Sequence, residues 1–227
     1  MKLSDLLRQS PLIAILRRIP EEKIPFCAET FAARGGKFLE LTFDPADPAT
    51  LRTTGNAIRE LRKNFPTLHI GAGTVLTSSM AETAAEAGAE FLVSPATSRN
   101  VIETARKHGI AAIPGAFTPN EILAAWEAGA DLVKLFPILP GGEQYVKTVM
   151  APLAHIPFLV TGGVNPSTAR SMLETGAVAI GAGASLFPPD QVARNEWSAI
   201  GRQIELLFRE IDNHGSEGEK TECTKSG

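Results

Sequence analysis

At 227 residues the chain holds one large domain and little more, close to the roughly 250 residues an eight-fold α/β barrel uses. Apolar residues make up 44% and charged residues 21%, ordinary globular values, and the net charge of −3 comes without a basic stripe, so nucleic acid and anionic membrane are poor partners. Two cysteines, Cys27 and Cys223, cannot build a disulfide framework or a metal knuckle, and the apolar run 11–16, ended by Arg17 and Arg18, is too short for a signal or membrane segment; a cytoplasmic location is expected.

The segment KLSDLLRQ predicts a short N-terminal helix, followed by a strand at 12–17 and a helix at 20–34. A strand at 38–43 precedes a helix at 48–64, and a strand at 69–73 precedes a helix at 77–87. The next pairs are 91–94 with 98–108, 110–113 with 118–128 and 131–136 with 142–153. The last two are 157–161 with 166–175 and 178–181 with 191–211. Gly88, Gly109 and Gly129 stand where helices stop before strands, and Ser98, Thr118-Pro119 and Asn165-Pro166 open helices. Such alternation requires parallel strands with crossover helices. Eight units in one domain predict a closed (β/α)8 TIM barrel over residues 1–211, its bottom covered by the N-terminal helix. No GxGxxG follows the first strand, which counts against a dinucleotide fold. The tail 212–227 (DNHGSEGEKTECTKSG) has no aliphatic residue and is expected to be disordered.

In a barrel, alternate strand residues point inward and chemistry sits at the carboxyl ends of the strands. In the sixth strand Leu132, Lys134 and Phe136 share a side, while Val133 and Leu135 suit helix packing, so Lys134 points into the barrel. Desolvation and cationic neighbours lower an amine's pKa, as a nucleophilic lysine requires; the plain alternative is a lysine snorkelling at a strand end. In the second strand Phe38, Glu40 and Thr42 share a side, making Glu40 an inward carboxylate able to face Lys134. It either shuttles protons or serves as ion partner to Lys134 or Arg17, and both readings hold together. Arg17 shares a side with Ile13 and Ile15, where a guanidinium either forks onto an acid substrate or is a rim charge.

Glycine-rich turns follow strands seven and eight: Thr161-Gly162-Gly163-Val164-Asn165 and Gly181-Ala182-Gly183-Ala184-Ser185. Loops there commonly cradle a phosphate with backbone N–H groups. A third turn, Gly71-Ala72-Gly73-Thr74, ends strand three and adds a hydroxyl to the mouth, or is a tight turn only. The four histidines, at 69, 108, 155 and 214, are scattered without metal-ligand spacing, so neither metal nor cofactor is expected.

The segments LELTF, GAGTVL, IPGAFTPNE, VKLFP, TGGVNPS and GAGASLF, in this order, resemble the KHG/KDPG aldolase family from about Pro11 to Phe187. The resemblance implies a class I lyase cleaving 2-keto-3-deoxy-6-phosphogluconate (KDPG), its galacto epimer or 4-hydroxy-2-oxoglutarate to pyruvate and an aldehyde. It implies Lys134 as the Schiff-base lysine and Glu40 as the proton-transferring glutamate. It further implies Thr74 and Arg17 as contacts of the pyruvate carboxylate, and Pro95 and Phe136 as pocket walls. Thr161, Gly162 and Gly163 would form the substrate and phosphate loop, completed by Gly183, Ala184 and Ser185. Homotrimers are common in the family. Two positions depart from its pattern: Asp44 stands where gluconate-type members carry arginine, and Ala184 occupies the expected serine position, with Ser185 next to it. A phosphosugar-binding or isomerase-type barrel using Glu40 as base is the alternative from another class, and it has no need of Lys134 as a covalent nucleophile.

Overall fold

In the computed structural model, which describes residues 2–139 and 142–222, the alternating pattern becomes one parallel sheet wrapped by helices. Helix α1 (Leu3–Gln9) precedes β1 (Leu12–Leu16), α2 (Ile24–Ala32), β2 (Phe38–Thr42), α3 (Thr50–Asn64), β3 (His69–Gly73) and α4 (Ser78–Glu86). Then come β4 (Phe91–Val93), α5 (Arg99–His108), β5 (Ala111–Ile113), β6 (Gly115–Ala116), α6 (Pro119–Glu127), β7 (Val133–Leu135) and α7 (Glu143–Met150). The chain closes with β8 (Phe158–Thr161), α8 (Pro166–Leu173), β9 (Ala179–Ala182), α9 (Pro189–Ala193) and α10 (Trp197–Glu222). Strands run in the order β5-β4-β3-β2-β1-β9-β8-β7-β6, every pairing parallel.

Among the described residues nine strand segments stand where eight are expected, because the fifth is interrupted. Its halves β5 and β6 flank Pro114, which has no N–H for a ladder. β5 pairs with β4 and β6 with β7, so the barrel closes through that one residue, whose carbonyl accepts from the Lys134 N–H at 2.9 Å. Gly88, Gly109 and Gly129 all take positive φ at helix ends, as read from the sequence. Thr118 and Asn165 cap α6 and α8 with side-chain hydrogen bonds, whereas Ser98 occupies its cap position without one.

Side-chain alternation sorts the apolar residues into two cores. Ile13, Phe38, Phe91, Val93, Ile113, Leu132, Leu159 and Ala179 fill the inside of the barrel, with Leu7 of α1 inserted from below and Leu3 and Leu6 against it. The opposite faces, including Leu39, Leu41, Val133, Leu135 and Val160, pack on the helices. The helix expected at the barrel bottom is thus a plug. The last expected helix, 191–211, is broken at residues 194–196 into α9 and α10, and α10 runs further than expected. Its buried residues Ile200, Ile204, Leu207 and Ile211 recur at helical spacing, and the helical backbone continues to Glu222, past the expected start of the tail. Once a helix is nucleated by packing, propagating it costs little. Residues 223–227 of that tail lie outside the described residues. No helix among the described residues is long and apolar enough to cross a membrane.

Candidate active site

Leu132, immediately before β7, faces the barrel interior, and Lys134 on β7 stands one inward step higher; both are buried, Lys134 to 4% exposure. On β2 the same step runs from Phe38 to Glu40, which is fully buried. Among the described residues neither Glu40 carboxylate oxygen has a hydrogen-bond partner. Burial therefore pushes the Glu40 pKa up, while the positive charges of Lys134 and Arg17 pull it back. Burial also brings the Lys134 ammonium below its ordinary 10.5; Glu40 opposes that shift and Arg17 adds to it. The two groups are electrostatic partners across the barrel, as the alternation pattern expects. The Phe136 ring lies 4.6 Å from the Lys134 Nζ, covering the amine with an aromatic face.

Lys134 opens into a cavity of about 650 Å³ at the carboxyl ends of the strands. Ile15, Arg17, Phe136, Thr161, Gly162, Gly163, Gly183, Ala184 and Ser185 share that lining. Thr161 is buried and its hydroxyl, like Glu40, is without a partner among the described residues. Gly162 and Gly163 take φ of 112° and 63°, a conformation that side-chain-bearing residues rarely adopt, so glycine is required for this loop to turn over the mouth. Asn165 and Thr168 tie the loop down through the Gly163 carbonyl, which accepts at 3.1 and 3.2 Å. Ser185 donates its hydroxyl to the Val164 carbonyl at 2.6 Å, so it braces one glycine loop against the other.

Arg17 lies just past the end of β1, exposed, and donates to the Thr74 hydroxyl at 3.2 Å. Thr74 holds a φ of 56° after the last residue of β3. Arg17 thus lines the cavity and reaches toward β3, while Thr74 and Pro95 stand outside the residues lining that cavity. Pro95 is half-buried in the loop after β4, its carbonyl against the inner face of Gly115. Asp44, the position that departs from the family pattern, pairs with Arg18 at 3.7 Å, and its carboxylate also accepts from the Ala46 N–H at 3.0 Å.

Reading the sequence missed the role of strand-three glycines. Gly71 and Gly73 belong to β3 itself and are not a tight turn. Both occupy inward positions, Gly71 opposite Glu40 and Gly73 opposite Thr42. A Cβ on Gly71 would sit 2.5 Å from Cζ of the Phe91 ring, and one on Gly73 would overlap the Glu40 carboxylate. The signal was available: two glycines at alternate positions of a strand empty one face of it. A larger groove, of about 870 Å³, lies at the opposite end of the barrel around α1, Trp126 and His155, far from both Lys134 and Glu40 in the fold.

The family model for KDPG and KHG aldolases matches residues 3–203. The chain is 31% identical over 210 residues to the 2-dehydro-3-deoxy-phosphogluconate aldolase of Pseudomonas aeruginosa, covering 92% of this chain and 91% of that protein. It is 32% identical over 186 residues to a probable 2-dehydro-3-deoxy-6-phosphogalactonate aldolase of Rhizobium meliloti, covering 82% of this chain and 85% of that one. Among solved structures, KDPG aldolase from Legionella pneumophila, with pyruvate captured at low pH as a covalent carbinolamine intermediate, matches with a TM-score of 0.79 at 25% identity. That match covers 91% of this chain and 98% of the other.

Proposed function

Because the chain belongs to the KDPG and KHG aldolase family, we propose that it cleaves KDPG to pyruvate and glyceraldehyde 3-phosphate as a class I aldolase built on Lys134. The observation that carries this reading is the buried Lys134, held below its ordinary pKa at the floor of a cavity and electrostatically coupled to the buried Glu40. A neutral amine is the nucleophile a ketone requires.

In this mechanism the Lys134 Nζ attacks the C2 carbonyl, and the carbinolamine loses water to give an iminium. Glu40 takes the proton of the C4 hydroxyl through a water as the C3–C4 bond breaks, with the bonding electrons drawn into the iminium to form an enamine. The aldehyde leaves, the enamine regains a proton from Glu40, and hydrolysis frees pyruvate and Lys134. The iminium serves as electron sink, so the scheme uses no metal. Arg17 and Thr74 form the end of the site that takes the carboxylate, and their mutual hydrogen bond supports the assignment. Phe136 is one of its walls, and Pro95, outside the lining of that cavity, is assigned to the walls on family grounds alone. Thr161, Gly162 and Gly163 with Gly183, Ala184 and Ser185 hold the phosphate end, a placement favoured by glycine loops after the last two barrel strands.

Asp44 favours a second substrate reading, the galacto epimer or the unphosphorylated 4-hydroxy-2-oxoglutarate, because its carboxylate can accept a hydrogen bond from a substrate hydroxyl and so select another acid. Its pairing with Arg18 supports KDPG as first choice. A homotrimer in the cytoplasm completes the proposal on family grounds. Pyruvate plus borohydride tests the covalent step: one pyruvyl unit should appear on the intact protein, and peptide mapping should put it on Lys134. No gain in mass, or label on another lysine, ends the proposal. Pyruvate release from KDPG, its galacto epimer and 4-hydroxy-2-oxoglutarate, compared side by side, ranks the substrates.

A further inference from the structure

Nothing in the hydrogen-bond pattern holds the Glu40 carboxylate in place. It is fully buried, and among the described residues neither oxygen has a partner. What remains to define its position is shape. Glu40 stands opposite Gly71 in the β2–β3 register, and strand side chains lean along the strand, which brings its carboxylate over the next inward position, Gly73. A Cβ there would fall inside the van der Waals envelope of Oε1, 2.5 Å from Cδ and 2.7 Å from Cγ. Gly73 does not take a left-handed φ, so its backbone suits any residue, and space is what makes it glycine. Its carbonyl accepts the Phe43 N–H at 2.9 Å, which keeps this floor a regular part of the ladder. One step below, the Phe91 ring fills the place of the missing Gly71 side chain. The two glycines form a staircase, its lower tread taken by a core aromatic and its upper tread by the carboxylate.

We propose that Gly73 is a positioning residue for the reaction: its absent side chain is the socket that holds the Glu40 carboxylate toward Lys134. The proposal rests on the reading of Glu40 as the proton-transferring group. Displacing such a group by about 1 Å costs on the order of a hundredfold in rate. Gly73→Ala should therefore lower kcat for KDPG cleavage about a hundredfold, with KM within about threefold and pyruvate–borohydride labelling of Lys134 retained. A merely structural defect lowers labelling and cleavage together. In a Glu40→Gln background, Gly73→Ala should lower kcat by less than about threefold more, since residues that act as one unit are not additive.

The outcomes separate cleanly. Wild-type kcat in Gly73→Ala, beside a slow Glu40→Gln, overturns the socket and leaves the catalytic reading standing. Wild-type kcat in Glu40→Gln overturns both. If Gly73→Ala fails to fold, the double variant Glu40→Ala/Gly73→Ala decides. Recovery of folded, soluble protein supports the socket, because the overlapping carboxylate is gone. Failure of the double variant to fold overturns it.

Discussion

The two ends of the barrel interior are built from the same strands and differ by one inward step. Below, Phe38, Leu132 and Leu159 form a dry layer with Phe91 and Ile13, sealed from beneath by Leu7. Above, the same three strands present Glu40, Lys134 and Thr161, all buried, with the Glu40 oxygens and the Thr161 hydroxyl unpartnered among the described residues. The lower layer gains from removing apolar surface from water, at about 1.5–3 kcal/mol for each large side chain. The upper layer carries the opposite sign, since burying a charge or an unpaired polar group is costly. Stability is thus deposited at one end of the barrel, and chemistry draws on it at the other.

The largest test of this division is Lys134→Met. Turnover should fall by roughly four powers of ten or more, as for loss of a covalent nucleophile. Melting temperature should hold or rise, because a buried ammonium is replaced by an apolar chain. Its pH dependence has a definite sign. Lys134 titrates below 10.5 in the folded protein, so the unfolded chain binds the proton more readily. The burden of the buried charge is fullest below the depressed folded value and fades as pH climbs to 10.5. The melting advantage of Lys134→Met over wild type should shrink over that climb; a constant difference would place the amine outside the low-dielectric layer.

At the other end, Leu7→Ala should cost about 2–5 kcal/mol, a cavity in a packed layer. For a domain of this size that is a melting shift of roughly 4–20 °C. Cleavage by the folded enzyme should be unchanged at low temperature, and a matching loss of kcat would show that the two ends are not separable. Glu40→Gln comes next, slowing cleavage by roughly a hundredfold while the pyruvate adduct still forms. The Glu40 charge raises the Lys134 pKa, so its removal should move the acid limb of adduct formation to lower pH. A limb that stays or moves up would separate the carboxylate from the amine. The smallest effect belongs to the rim. Asp44 and Arg18 are 38% and 77% exposed, and pairs of this kind contribute less than about 1 kcal/mol. Asp44→Asn should leave KM for KDPG unchanged or lower it by less than about tenfold. A large loss of KDPG cleavage would mean that the carboxylate recognises substrate directly.

Much of this arrangement was legible in the linear chain, because it depends on period. Alternation in DLVKLF placed Lys134 inward and alternation in FLELT placed Glu40 inward on another strand, since a strand sends successive side chains to opposite faces whatever its partners. The helix-stop glycines and the glycine turns after strands seven and eight are local backbone needs, and they too were readable. Other features were not. Which residues meet across the barrel depends on register and on long-range closure. Arg18 rather than Arg17 pairs with Asp44, and Arg17 instead reaches Thr74 on β3. Pro114 splits the fifth strand while the barrel still closes around it.

By itself, then, the sequence determined the repeating α/β unit, the inward lysine and carboxylate, and the family. The unit and the inward pair follow from spacing along one chain, where each residue answers only to its neighbours, and the family from the resemblance of six ordered motifs. Tertiary structure alone decided that Glu40 is fully buried and without a partner among the described residues, and that Gly73 leaves the space it occupies. Burial, pKa and steric fit are properties of the volume between strands, and that volume exists only once the barrel has closed.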